Sequence, residues 1–253
     1  MNEQQKLTLL FVIIAIAIMA AVIAGPIPQD PGYHSFADQR VIFGIPNFWN
    51  VVTNIPLIIV GIMGMMLLAR GNASGGLPEL SFIYFLFFCG LFATGIGSMY
   101  YHYSPANQTL LWDRLPMTIF FMAFFSAIVG ENISPRAGRT IVLPLIALGI
   151  ASVLYWYLIE AKGNGDLRWY ALVQFLPLVL VPVILLLFRS KVKPTAYLWA
   201  VLGAYALAKI AESFDRPIFT AMPVLSGHSW KHLIAALGAY LYYLALRRRK
   251  SDV

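Results

Sequence analysis

Two histidines four residues apart, His228 and His232, stand beside a second pair with the same spacing, Ser98 and His102. On a helix, positions i and i+4 share a face, so both imidazoles of His-x-x-x-His can reach one metal ion. A third neutral imidazole and an open water position complete the ligand set of a catalytic zinc. Bound zinc lowers the pKa of its water toward about 7 and polarises a carbonyl, which is the chemistry of hydrolysis. Asp113 is the carboxylate expected to orient that water and take its proton. Ser98, one turn before His102, is expected to donate a hydrogen bond to an oxyanion.

Each of these groups also has an ordinary structural use. His-x-x-x-His alone suits hydrogen bonding between membrane helices, and His102 suits an interfacial position. Asp113-Arg114 suits a surface ion pair at a helix start, where a carboxylate favours the dipole. Ser98 suits the packing of small residues between membrane helices. Bis-histidine haem ligation fits less well, because axial ligands occupy opposite faces of a porphyrin. The case for a metal therefore depends on whether the elements carrying these residues bring them to one depth.

Those elements are hydrophobic to a degree that sets the class of the protein. Of 253 residues, 60% are hydrophobic and 11% charged, against roughly 45–50% and 25% in soluble domains. The mean hydropathy is +0.74. An ordinary soluble enzyme, a disordered chain and a nucleic-acid binder are excluded despite the net charge of +7. The lone cysteine, Cys89, excludes an intrachain disulfide and a thiolate metal cluster.

A helix crossing the hydrocarbon needs roughly 20 apolar residues, and eight such runs are legible, at about 7–25, 48–69, 81–103, 109–129, 138–158, 168–188, 195–213 and 228–246. None alternates as a barrel strand would. Breaks such as Ser104-Pro105, Ser134-Pro135 and Gly163-Asn164-Gly165 carry helix-stopping chemistry. The first run is longer than a signal-peptide core and Pro26 follows it closely, so a retained helix is expected.

The expectation is an all-α integral membrane protein with one membrane domain. Lys6, Arg70, Arg136, Arg139, Arg189, Lys191, Lys193 and the tail Arg247-Arg248-Arg249-Lys250 collect on the side of the termini, which should be cytoplasmic. The basic tail reads as an anchor against anionic lipid. By parity, the end of the third span and the starts of the fourth and eighth all lie at the non-cytoplasmic face. His102, Asp113 and His228/His232 therefore meet at one depth, where polar side chains in a membrane imply function.

Taken together, Ser98-Met-Tyr-Tyr-His102, Asp113 and His228-Ser-Trp-Lys-His232 resemble the pattern of the CREST superfamily, which includes alkaline ceramidases, progestin and adiponectin receptors and Per1 proteins. Asn47-Phe-Trp-Asn-Val-Val-Thr-Asn54 is similar to the segment opening the first core helix of alkaline ceramidases. The resemblance implies a seven-helix core over 47–247, an additional N-terminal helix within 1–46, and a basic tail at 248–253. It implies zinc on His102, His228 and His232, with Ser98 and Asp113 at the remaining active-site positions. The reaction implied is hydrolysis of the ceramide amide to a fatty acid and a sphingoid base, with the acyl chains in a cavity between helices.

One departure concerns calcium, which alkaline ceramidases bind through an acidic segment before the first core helix. The corresponding stretch, Asp30 to Asn50, offers Asp38, Asn47 and Asn50 but no glutamate. Calcium prefers six to eight oxygens, some of them charged, so it is not expected here. Arg40 is expected to pair with Asp38 in its place.

Several residues around the motif carry lesser expectations. His34 reads as an exposed loop residue or a lid over the site. Tyr100, Tyr101, Tyr103 and Trp112 read as an aromatic belt. Glu212, Asp215 and Arg216 read as an ion network or as support behind the site, and Lys231 as turned away from both histidines, either snorkelling to the interface or paired with one of these acids.

Three functions remain open on the sequence: a zinc amidohydrolase acting on ceramide or another lipid amide, a receptor-like lipid-binding protein with a structural zinc, and a transporter. Short soluble segments offer no domain for a protein partner, which favours the first. The transporter lacks an obvious inverted repeat.

Overall fold

Long apolar runs punctuated by Gly, Pro and Ser become long helices, because in hydrocarbon each backbone group must be satisfied within its own segment. The computed structural model describes residues 1–251 and places helices within a few residues of every expected run. Helix α1 (Glu3–Ala24) opens with a capping box. The Asn2 side chain accepts from Gln5 N–H, and the Gln5 side chain accepts from Asn2 N–H. A loop holding a short 3-10 turn, Pro31–His34, leads to α2 (Phe48–Val52) and α3 (Ile55–Ala69). The expected span 48–69 is thus two helices joined at Thr53-Asn54.

A second 3-10 turn at Pro78–Leu80 leads into α4 (Ser81–Tyr103), followed by α5 (Asn107–Asn132), α6 (Pro135–Glu160) and α7 (Arg168–Leu187). After a two-residue strand β1 (Val192–Lys193) come α8 (Ala196–Ser213), the short α9 (Asp215–Ala221) and α10 (Gly227–Arg248). Strand β2 (Lys250–Ser251) pairs antiparallel with β1.

Among the described residues, six helical stretches are long and apolar enough to cross a membrane: α1, α2 with α3, Pro78–Tyr103, α5, α6 and α7. The chain is accordingly read as a multi-pass membrane protein. Phe11, Ile16 and Ile23 of α1 are 68%, 63% and 78% exposed, a face that suits lipid and not water. Helices α8 and α10 reach 18 and 22 residues but do not meet the same standard of apolarity. They carry Lys209 and Glu212, and His228, Lys231, His232, Arg247 and Arg248. The polar content that lowers their hydropathy is the content of the site itself.

The main core fills the half of the bundle away from the α2 end, where Phe87, Phe88, Phe124 and Tyr242 pack edge to face or stacked. A second cluster of Phe36, Tyr101, Leu110, Val153, Trp156 and Tyr170 lies under the α1–α2 loop.

The expected basic tail divides. Arg247 and Arg248 are exposed, whereas Arg249 is buried and paired with buried Glu131, through Nη1 at 2.8 Å and Nη2 at 2.7 Å. The Tyr84 hydroxyl donates to the same carboxylate at 2.9 Å and accepts from Leu77 N–H at 3.1 Å. Arg249 is therefore a structural latch and not part of an anchor for anionic lipid. Positive charge buried in the bundle is costly without a partner, and Glu131 supplies one for Arg249. The last two residues of the expected tail lie outside the described residues.

Breaking a buried pair strands a charge and costs about 3–5 kcal/mol. Glu131→Ala should therefore lower the thermal unfolding temperature in detergent markedly, while Arg247→Ala should leave it nearly unchanged.

Candidate metal centre

Three imidazoles from two helices converge. His102 ends α4, and His228 and His232 lie on the first two turns of α10. All three are buried, and their ligand nitrogens lie within 4.8 Å of one another. His102 Nε2 and His228 Nε2 are 3.3 Å apart. Two nitrogens bound tetrahedrally to one ion at zinc–imidazole distance would be separated by about 3.3 Å.

Helices meet closely enough for this only where side chains are absent. A Cβ at Gly227 would run into the Ala211 carbonyl, and one at Gly97 into the Trp112 carbonyl. Glycine at these two positions lets α10 start against α8 and α9, and lets α4 pack on the start of α5.

The orientation of His232 is fixed by its neighbours. Thr53 Oγ1 donates its only hydrogen to the Trp49 carbonyl at 2.6 Å and lies 3.0 Å from His232 Nδ1. Asn54 Nδ2 lies 3.3 Å from the same Nδ1, so Thr53 and Asn54 together hold the ring through Nδ1 and leave Nε2 outside that contact. That Nε2 is buried with no partner. At His228, the Lys231 ammonium lies 2.9 Å from Nε2, so a positive group already stands against a lone pair that a metal would use. An orphaned buried ring nitrogen, an ammonium standing against another and three converging imidazoles all fit a divalent metal ion.

The Asn47–Asn54 segment, quoted for its resemblance, serves as a bracket. Asn47 donates to the His102 carbonyl at 2.9 Å, and Asn50 Oδ1 accepts from the Ser229 hydroxyl at 2.7 Å. With Thr53 at His232, one stretch of chain holds both ligand-bearing helices. Sequence reasoning assigned these residues no such role. The available signal was a run of polar residues at helical spacing at the head of an apolar helix.

Asp113 and Ser98 are buried on the wall of the same cavity as His232. Ser98 lies near the Asp113 carboxylate. The pair Asp113-Arg114 does not sit on the surface: Arg114 is 5% exposed and lies against the rings of Trp156, Tyr170 and Tyr33 at 4.2, 5.0 and 5.4 Å.

The surrounding residues settle the lesser expectations. Arg40 pairs with Asp38 as anticipated, at 2.8 Å from Nε and 2.6 Å from Nη2, and that carboxylate holds the guanidinium pKa above its ordinary value. His34 is neither lid nor free loop residue, since its ring nitrogens meet the Tyr101 hydroxyl at 2.9 Å and Asn107 Oδ1 at 3.1 Å. The ring over the site is Phe36, whose centroid is 4.7 Å from His102 and 4.8 Å from His228.

Asp215 holds that cover down. Its carboxylate accepts from Ala37 N–H at 2.9 Å and from His228 N–H at 2.7 Å. Tyr100, Tyr103 and Trp112 are exposed as a belt requires, but Tyr101 is buried. Lys231 pairs with Glu212 at 2.9 Å as expected. It does not turn away from both histidines, because on a helix residue 231 shares a face with residue 228.

Compared with known protein families, the chain matches Ceramidase over residues 39–251. The chain belongs to the ceramidase family. No curated protein matches it. Membership implies an amidohydrolase acting on a lipid amide, and the buried histidine triad of this ceramidase-family chain could hold a metal ion. All three histidines, Asp113 and the Asn47–Asn54 bracket fall within the matched residues.

Metal content of the purified protein should fall to background in His232→Ala. In Thr53→Val, which loses a hydrogen-bond partner of His232 Nδ1, metal affinity measured by chelator competition should fall about 10- to 100-fold.

Proposed function

We propose that this protein is a zinc-dependent intramembrane amidohydrolase that cleaves ceramide, or a lipid amide of similar shape, into a fatty acid and a long-chain base. The observation that carries the reading is the position of the triad. His232, Asp113 and Ser98 line the polar end of a cavity of about 340 Å³, with His102 and His228 grouped on His232, and apolar side chains such as Leu91, Phe120, Phe124, Val181 and Leu202 wall the rest. An acyl chain suits that wall, and its amide carbonyl then lies at the polar end.

His102, His228 and His232 would hold the ion. A bound zinc supplies Lewis acidity toward the amide carbonyl and makes water a nucleophile at neutral pH. The remaining steps belong to the chain. Asp113 orients the attacking water, takes its proton and returns it to the departing amine. Ser98 is held toward the ionised carboxylate. Once Asp113 is protonated it no longer needs that donor, and the Ser98 hydroxyl turns to the oxyanion. Phe36 closes the site from above and limits its access to bulk water.

The orientation follows from the distribution of basic residues, with the termini cytoplasmic and the metal centre toward the opposite face. In this reading α8 and α10 cross the membrane with the other helices. Their cost in polar groups is offset by the pairing of Lys209 and Lys231 with Glu212.

Fatty-acid release from ceramide, followed by mass spectrometry, should be lost by about 100- to 10,000-fold in Asp113→Asn while its metal content stays at the wild-type level. Full activity in that variant would remove Asp113 from the chemistry, and an inert wild type with metal bound would favour a receptor-like protein. In a Cys89→Ser background, Val224→Cys should be labelled from outside intact cells and Arg248→Cys only after permeabilisation; the reverse pattern would invert the orientation.

A further inference from the structure

The charges on the cavity wall do not balance. Among the described residues, the wall carries three cations, Arg114, Lys209 and Lys231, against two carboxylates, Asp113 and Glu212. Glu212 is shared: Oε1 meets Lys231 Nζ and Oε2 meets Lys209 Nζ, so two ammonium groups divide one acid. Arg114 gives Nη2 to the Gln29 side chain at 2.7 Å, and its buried Nη1 has no hydrogen-bond partner. A divalent ion on the triad would bring further positive charge to this region as it takes the place of the Lys231 ammonium at His228 Nε2. Inside an apolar bundle bulk counterions are excluded, and uncompensated charge is costly.

A neutral lipid amide leaves that imbalance standing. A substrate with an anionic group on the amine side of its amide removes it. Its acyl chain occupies the apolar depth, its carbonyl faces the triad, and the anion faces the shared lysine pair.

We propose that the preferred substrates are acidic lipid amides, in which a carboxylate or phosphate lies a few bonds from the scissile nitrogen, and that Lys209 with Lys231 receives that group. This rests on the amidohydrolase reading and narrows its substrate class. The reaction is ordinary hydrolysis. The C–N bond breaks, the water oxygen bonds to the acyl carbon, and one water proton leaves with the amine. An N-acyl amino acid thereby yields a fatty acid and a free amino acid. Lys209 is the specificity-determining residue to test, since it contacts Glu212 and the Phe175 ring and no member of the triad.

The test pairs each acid with a neutral partner, using the full-length protein in lipid nanodiscs. N-palmitoylglycine is compared with N-palmitoylglycinamide, and ceramide 1-phosphate with ceramide, for both hydrolysis and equilibrium binding. In at least one pair the acid should be favoured roughly 10- to 100-fold in kcat/KM, the range for a hydrogen bond to a charged group. Lys209→Met should abolish that preference while Lys209→Arg keeps it. Preference in the glycine pair alone identifies a carboxylate, and in the ceramide pair alone a phosphate.

Equal or better cleavage of both neutral amides would overturn the proposal and leave the amidohydrolase reading intact. If no amide is cleaved, the amidohydrolase reading fails, and binding decides. Tighter binding of the acid that Lys209→Met removes would uphold an anionic ligand, and equal binding within both pairs would refute it.

Discussion

Three imidazoles converging inside an apolar bundle are the constraint on which the rest of this structure depends. Buried ring nitrogens have lost their water, so they need partners within the bundle or an ion that they could hold, and short elements of the chain keep the ligand-bearing helices together. Thr53 and Asn54 meet His232 Nδ1, Asn47 ties down the end of α4, and Asp215 ties down the start of α10. These contacts come from the α2 segment and the α9 turn, two short elements without the length to cross a membrane.

The same economy of polar groups explains the two charge clusters at opposite ends of the bundle, one buried and one on the cavity wall. At one end Glu131 meets Arg249 and Tyr84 and closes the C-terminus onto the α7–α8 connection, with nothing left over. At the other, Glu212 meets two lysines, and the residual positive charge faces a cavity. A satisfied cluster builds structure. An unsatisfied one beside a cavity and a histidine triad that could hold a metal ion is where a ligand of opposite charge gains most, because low dielectric strengthens the attraction.

The cover over the triad links fold to chemistry. Phe36 packs on His102 and His228 and belongs to a loop held by Asp38–Arg40, by Asp215 and by Gln29 on Arg114. Arg114 is thus both a wall of the cavity and a support of its roof.

The sequence by itself determined the helices and their ends. Runs of about twenty apolar residues can do little else in a membrane, and Pro, Gly and Ser mark the stops. It also identified the triad, because His-x-x-x-His on a helix must present both rings to one side, and the parity of the spans put His102 at the same depth. The pairing of Arg40 with Asp38 was legible from their two-residue separation.

Only the tertiary structure decided which long-range partners complete the site. That Thr53 serves His232, that Phe36 and not His34 covers the triad, that Tyr101 and Arg114 lie inside, that Lys231 touches His228, and that Arg249 turns inward to Glu131 all depend on helix rotation and on the path of loops. Periodicity fixes neither. A local pattern constrains neighbours three or four residues apart, whereas the 179 residues between Thr53 and His232 are bridged only by packing.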